Sequence, residues 1–188
     1  CDSGRQVYWV CTLIEESETL QCETAIETAD KLKEMLSTIQ VGLIHGRMKA
    51  NEKEAVMQDF KEGKTSLLVA TTVIEVGVDV PNASLMIIDN AERFGLSQLH
   101  QLRGRIGRGE IKSDCVLMYQ SPLGDLARKR LEIMRTSSNG FLIAEKDLEL
   151  RGPGEVLGTR QAGIPDMRVA DLMRDAHLLP HIQKTAKT

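Results

Sequence analysis

Five short runs of aliphatic, β-forming residues, at 6–14, 41–44, 66–71, 85–89 and 114–119, are each separated from the next by a connection long enough for a crossover. Parallel neighbours need such connections, whereas antiparallel ones are joined by hairpin turns of a few residues. The pattern therefore predicts an α/β fold built on a parallel sheet. The first run, QVYWVCTLI, is apolar throughout and reads as a strand buried on both faces. Beyond an acidic loop, Ala25, Ala29, Leu32 and Leu36 recur at helical spacing and predict an amphipathic helix ending near Ser37. Asn51 with Glu54 three residues on gives a capping signal for a second helix, which carries Val56 and Phe60 and stops at Gly63. Aromatic residues make up only 3% of the chain, so the core must be aliphatic, as such a sheet requires. Ligands of open parallel sheets bind at the carboxyl ends of the strands, and His45, Thr71, Thr72 and Asp89 fall there.

The run QLHQLRGRIGRG, residues 98–109, holds three arginines and three glycines and no acidic residue. A helix over 98–105 would project Gln101, Arg105 and Arg108 from one face, with Gly104 and Gly107 leaving room for close approach. Guanidinium groups stay charged and can give a phosphate two parallel hydrogen bonds. A solvated helix end would carry the same residues, because cations are favoured at helix C-termini. The glycines follow G-x-x-G-x-G, with no strand immediately before them, so this is not a dinucleotide loop. Gly63-Lys64-Thr65 lacks the first glycine of a phosphate loop, since Gln58 stands there, and it precedes a strand instead of following one. The strand ending at Asp89 then has no phosphate loop whose magnesium site it could complete.

The formal net charge of -3 speaks against a generally basic coat, so phosphate binding must come from local patches. Cys1, Cys11, Cys22 and Cys115 are scattered without a CxxC pair, which predicts neither a zinc ribbon nor a disulfide framework. His177 and His181 are separated by Pro180 and make a poor helical metal pair. The first residues, CDSGRQ, do not read as a signal peptide, and no apolar run has the length of a membrane span. A cytoplasmic protein without a membrane partner is expected. After Tyr119 the pattern turns to helices alone, at 126–135 and 141–149, and Arg151-Gly152-Pro153-Gly154 is expected to break the second of them. Val169, Leu172, Met173 and Ala176 fit a final amphipathic helix.

Residues 7–14, His45-Gly46, the run ATTVIEVGVDVP from Ala70 and QLRGRIGRG from Gln101 resemble, in order and spacing, motifs IV to VI of superfamily 2 helicases. Within that superfamily VYWVCTLIEESE and DLELRGPGEVLGTRQAG, the latter from Asp147, resemble the RecG family of bacterial ATP-dependent DNA helicases. The transcription-repair coupling factors share the arginine motif and a similar hairpin, with a weaker match in the opening strand and after Gly158.

The resemblance implies a RecA-like second motor domain over 1–120, a helical hairpin and loop coupling hydrolysis to translocation over 121–165, and a helical tail over 166–188. It makes Arg105 and Arg108 fingers that reach the γ-phosphate of ATP across a cleft, with Gln101 positioning them. By the same resemblance Asp79, with Gly77 before it, lies near the ribose, although Asp79 could also be a turn residue ahead of Pro81. Thr71 and Gly46 would hold a DNA phosphate, and Arg130, Arg151 and Gln161 would join hairpin and loop, where the plainer reading is surface polarity. ATP and Mg2+ would be held mainly by a first motor domain outside this chain. Branched double-stranded DNA, such as replication forks and Holliday junctions, and the N-terminal motor and wedge domains of the same protein are the implied partners. The chain by itself is expected to be inert. A non-enzymatic docking module, whose arginines bind only backbone phosphate, is the rival from another class.

Overall fold

The computed structural model describes residues 5–12, 18–71, 80–107 and 112–156, with side chains described for all of these except 18–21 and 151–156. In chain order these form β1 (Gln6–Cys11), α1 (Glu18–Met35), β2 (Val41–Ile44), α2 (Ala50–Lys61), β3 (Leu67–Thr71) and β4 (Ala83–Ile88). A 3-10 turn (Ala91–Arg93), α3 (Leu96–Arg103), β5 (Asp114–Leu117), α4 (Asp125–Thr136) and α5 (Gly140–Val156) follow. The strands make one sheet in the order β2-β3-β1-β4-β5, and every pairing is parallel. The chain divides into two compact units, residues 1–144 and 145–188, and the sheet belongs to the first. Among the described residues no helix is long and apolar enough to cross a membrane.

Strand order decides which face each helix covers. The step from β1 to β2 runs in one direction along the sheet and those from β2 to β3 and from β4 to β5 run in the other. Right-handed crossovers then put α1 on one face and α2 and α3 on the opposite one. Ala25, Ala29 and Leu32 of α1 accordingly bury against Val7, Cys11, Leu67 and Val69. On the other side Phe60 of α2 meets Tyr8 edge-on, with ring centroids 4.9 Å apart. Gly42 leaves room for the side chains of the neighbouring β3 segment, since a Cβ there would stand 3.0 Å from Thr65 Cγ2 and 3.2 Å from Leu68 Cδ1, with Val56 Cγ1 of α2 at 3.4 Å. The buried Gln6 amide donates to the carbonyls of Phe60 and Thr65, fixing the start of β1 to the link between α2 and β3.

Three local expectations are corrected. Helix α1 starts at Glu18, not near Ala25. Its first turns carry glutamates and other good helix formers with few apolar residues, so the periodicity was silent there, while acidic residues are favoured near a helix N-terminus. The cap of α2 is Lys49, whose amide donates to the Glu52 carboxylate at 2.9 Å, and Asn51 already lies inside the helix. A tight turn, in which Met48 N–H donates to the His45 carbonyl at 3.2 Å, delivers extended backbone at Lys49 and starts the helix early. Finally, α5 runs through Arg151, Gly152, Pro153 and Gly154 to Val156. An interior proline costs about 3 kcal/mol, and here that cost is set against the continuity of a 17-residue helix. The expected tail helix, and the pair His177 and His181, lie outside the described residues.

Phe60 is fully buried between α2 and β1. Phe60→Ala should destabilise the chain by about 3–5 kcal/mol, read as an earlier midpoint in urea unfolding, and a shift below about 1 kcal/mol would show that this contact does not hold α2 to the sheet.

Candidate functional site

Register brings the carboxyl ends of four strands level. Cys11 pairs with Thr71, Val10 with Ile88, and Ile44 with Ala70, so the next residues in line are His45, Thr71, Cys11 and Asp89. At the usual strand spacing that row spans roughly 14 Å. Thr71 is 2% exposed, and its hydroxyl has no partner among the described residues. A buried hydroxyl left unpaired costs about 1–3 kcal/mol, so this is a position where a polar ligand or chain group would be bound gainfully. Thr72, Gly77 and Asp79, which continue from Thr71, lie outside the described residues.

Around the row, side chains lock the strand ends together. Thr12 Oγ1 donates to the Asp89 carbonyl, joining the ends of β1 and β4. The Asp89 carboxylate accepts from the Asn90 amide at 2.9 Å, and Asn90 takes a left-handed conformation, φ 47, to make the turn. Asp89 is thus engaged in turning the chain. Gly46 is half-buried, and its carbonyl accepts from Lys53 Nζ of α2 at 3.0 Å. Nothing in the sequence spacing pointed to Lys53. Withdrawal from water lowers the His45 pKa first, and the charges of Lys53 and Arg47 lower it further. The neutral imidazole therefore sits in a cationic corner at the end of β2.

The arginine run is organised differently from the expected single helical face. Helix α3 ends at Arg103, with Gly104 as its cap. The Arg105 amide donates to the Leu102 carbonyl at 2.9 Å and that of Ile106 to the Arg103 carbonyl at 3.4 Å, so Arg105 stands in a tight turn. Gly107 then has φ +77, and a Cβ on it would stand 2.4 Å from Ser113 Oγ. Glycine suits Gly107 because, without a Cβ, it takes this positive φ at little steric cost. Ile106 is buried and fastens the turn to the core, while Arg105 is half-buried and its guanidinium has no hydrogen bond or ion pair among the described residues. Gln101 is exposed on the last turn of α3, and Arg108 lies outside the described residues.

The remaining described arginine of the run is engaged within the protein. Arg103 Nη1 donates to the carbonyls of Met134 and Ser137 at 2.9 and 2.8 Å, and Nη2 lies 3.2 Å from His100 Nδ1. These carbonyls end α4, where helical partners run out. Arg130 makes a second tie, with Nη2 donating to the Glu92 carbonyl at 2.8 Å, which holds α4 to the 3-10 turn after β4. Gln161 and the Arg151 side chain, which the resemblance joins to Arg130, lie outside the described residues.

Comparison with known proteins adds the family context. The profile of the helicase conserved C-terminal domain matches residues 2–110. That of "ATP-dependent DNA helicase RecG, domain 3, C-terminal" matches residues 137–188. The ATP-dependent DNA helicase RecG of Escherichia coli strain K12 is 62% identical over 184 residues, covering 98% of this chain and 27% of that protein. The protein of the same name from Synechocystis is 54% identical over 186 residues, covering 98% of this chain and 22% of that one. The chain thus spans about a quarter of the length of such relatives. A structure of RecG bound to a three-way DNA junction superposes with TM-score 0.70 and 45% identity, covering 95% of this chain and 22% of that one. The Mycobacterium smegmatis helicase Lhr, bound to ssDNA and AMP-PNP, shares the fold at TM-score 0.57 and 18% identity, over 72% of this chain and 18% of that one.

His45 resists protonation in the folded chain, so as pH falls past the ordinary imidazole value of 6.5 the unfolded chain takes up the proton first. The stability this residue contributes is present above that value and is lost as pH falls toward the lower folded value. Between about pH 7.5 and pH 5.5, His45→Asn should lose less melting temperature than the unaltered chain, and identical losses would remove His45 from the corner described.

Proposed function

Because the chain belongs to the RecG family of ATP-dependent DNA helicases, through its helicase conserved C-terminal domain, we propose that it forms one wall of an ATP site in a motor that remodels branched double-stranded DNA. Its sheet is the RecA-like fold of that domain. The observation that carries the reading is the turn after α3. Arg105 stands there without a partner among the described residues, on a chain whose sequence has no phosphate loop. On this reading residues 1–120 are the second motor domain, 121–165 the hairpin and loop that couple hydrolysis to translocation, and 166–188 a tail.

Phosphoryl transfer passes through a loose transition state with charge spread over the transferring oxygens, so catalysis rests on positioning and charge neutralisation. Arg105 and Arg108 supply that neutralisation from across the cleft, and Gln101, on the helical turn before them, steadies their approach. The first motor domain would hold Mg2+ and the triphosphate, and Mg2+ would neutralise the phosphate oxygens there. Asp79 and Gly77 would meet the ribose, whose hydroxyls a carboxylate can accept.

On the nucleic-acid side, the Thr71 hydroxyl is a buried polar group without a partner among the described residues. The Gly46 carbonyl accepts from Lys53, and its amide would meet a backbone phosphate. Such contacts hold DNA without reading its sequence. Arg130, Arg151 and Gln161 would form the network that moves the loop as the two motor domains close. The surroundings that suit this work are the bacterial cytoplasm and nucleoid.

The finger role is tested in the full-length parent protein. Arg108→Ala should leave the KM for ATP within a few-fold while DNA-stimulated hydrolysis falls by roughly 10³ to 10⁵, and unchanged turnover would remove the role. Gln161→Ala should retain hydrolysis and lose fork unwinding, whereas parallel loss of both would point to a folding defect.

A further inference from the structure

Arg103 lies outside every role assigned so far, yet its geometry is the more specific of the two described arginines in its run. One nitrogen of its guanidinium bridges the Met134 and Ser137 carbonyls, 31 and 34 residues away, at 2.9 and 2.8 Å. Met134 lies near the end of α4, and Ser137 is the residue that caps it. The second nitrogen meets His100 Nδ1 at 3.2 Å, and because a guanidinium only donates, Nδ1 is the acceptor. That leaves His100 Nε2 turned toward Gly140, where an added Cβ would stand 3.0 Å from it, so α3 also abuts the first residue of α5.

What surrounds this tie makes it decisive for the place of α4. Between α4 and the sheet edge is an open-sided cavity of about 290 Å³ lined by Arg103, Cys115, Leu117, Tyr119, Leu131 and Met134. Val116 and Tyr119 of that edge are 44% and 53% exposed. Apolar packing under α4 is therefore incomplete, and polar ties locate the helix. They include Arg130 to the Glu92 carbonyl and Arg103 to the end of the helix. Arg103 is also the last residue of α3, with one glycine between it and Arg105. A displacement at the end of α4 reaches the Arg105 turn through two residues.

We propose that Arg103 is a positioning residue: it sets the stance of the Arg105 turn according to where α4 stands, and so links engagement of DNA by the hairpin to hydrolysis. The inference rests on the reading of Arg105 and Arg108 as fingers and adds the part that moves them. A planar fork suits the task because two carbonyls and a ring nitrogen are held at once, where a lysine would satisfy fewer of them with less fixed geometry.

The test uses the full-length parent protein with Arg103→Ala and Arg103→Lys, measuring kcat and KM for ATP with and without forked DNA, and base pairs unwound per ATP. In Arg103→Ala, KM and DNA-free turnover should stay within about twofold, while DNA stimulation and unwinding per ATP fall by roughly threefold to thirtyfold. Arg103→Lys should fall between the two. Stimulation and unwinding equal to the parent's would overturn the proposal. So would a loss that is the same with and without DNA, since that marks a helix cap of structural value only. If Arg103→Ala fails to fold, Arg103→Lys carries the test, with parental stimulation as the overturning result. A parent protein that DNA does not stimulate at all would overturn the functional reading itself, and this inference with it.

Discussion

Parallel pairing in a single register is the constraint on which the rest of this structure depends. It sets His45, Thr71, Cys11 and Asp89 in one row at the carboxyl ends of the strands. All the connecting segments that follow strands must leave from that edge. Thr12, through the Asp89 carbonyl, holds the ends of β1 and β4 together, and Lys53, through the Gly46 carbonyl, holds the turn after β2 to α2. The sheet therefore supplies a rigid rim, and chemistry belongs to the turns on it.

The basic run at the end of α3 illustrates how one segment can serve two purposes. Its arginines look alike in sequence, but Gly104 and the left-handed Gly107 break the helix, and the side chains of Arg103 and Arg105 are put to different uses. Arg103 is spent inside the protein, on the carbonyls that end α4. Arg105 is left in a turn that Ile106 pins to the core, with its charge uncompensated among the described residues. An uncompensated guanidinium on a rigid support is what a developing phosphate charge requires, because little reorganisation then accompanies the reaction.

Much of the fold is legible in the sequence. Strands such as QVYWVC and LLVAT announce themselves by unbroken apolar character, and the spacing between them dictates parallel pairing. Helix ends were read less well, because turn geometry chose Lys49 and Glu52 over Asn51 and Glu54, and polar composition hid the start of α1. At Pro153 the continuity of α5 outweighs the cost of an interior proline. Lys53 and Arg103 were invisible for a different reason. Their partners are main-chain carbonyls, which carry no residue signature, and for Arg103 they lie more than 30 positions away. The roles of Gly77, Asp79, Arg108 and Gln161 rest on motif alone, since these residues lie outside the described part of the chain.

The central claim is that the Arg105 turn recognises the transition state of phosphoryl transfer held by another domain, and does not merely bind nucleotide. The most direct measurement compares the affinity of the full-length parent protein, and of its Arg105→Ala variant, for ADP with aluminium fluoride and for ADP alone, with forked DNA present. If the account holds, the variant keeps its affinity for ADP and loses most of the parent's preference for the transition-state mimic. A variant that keeps that preference, or loses affinity for both alike, would contradict it.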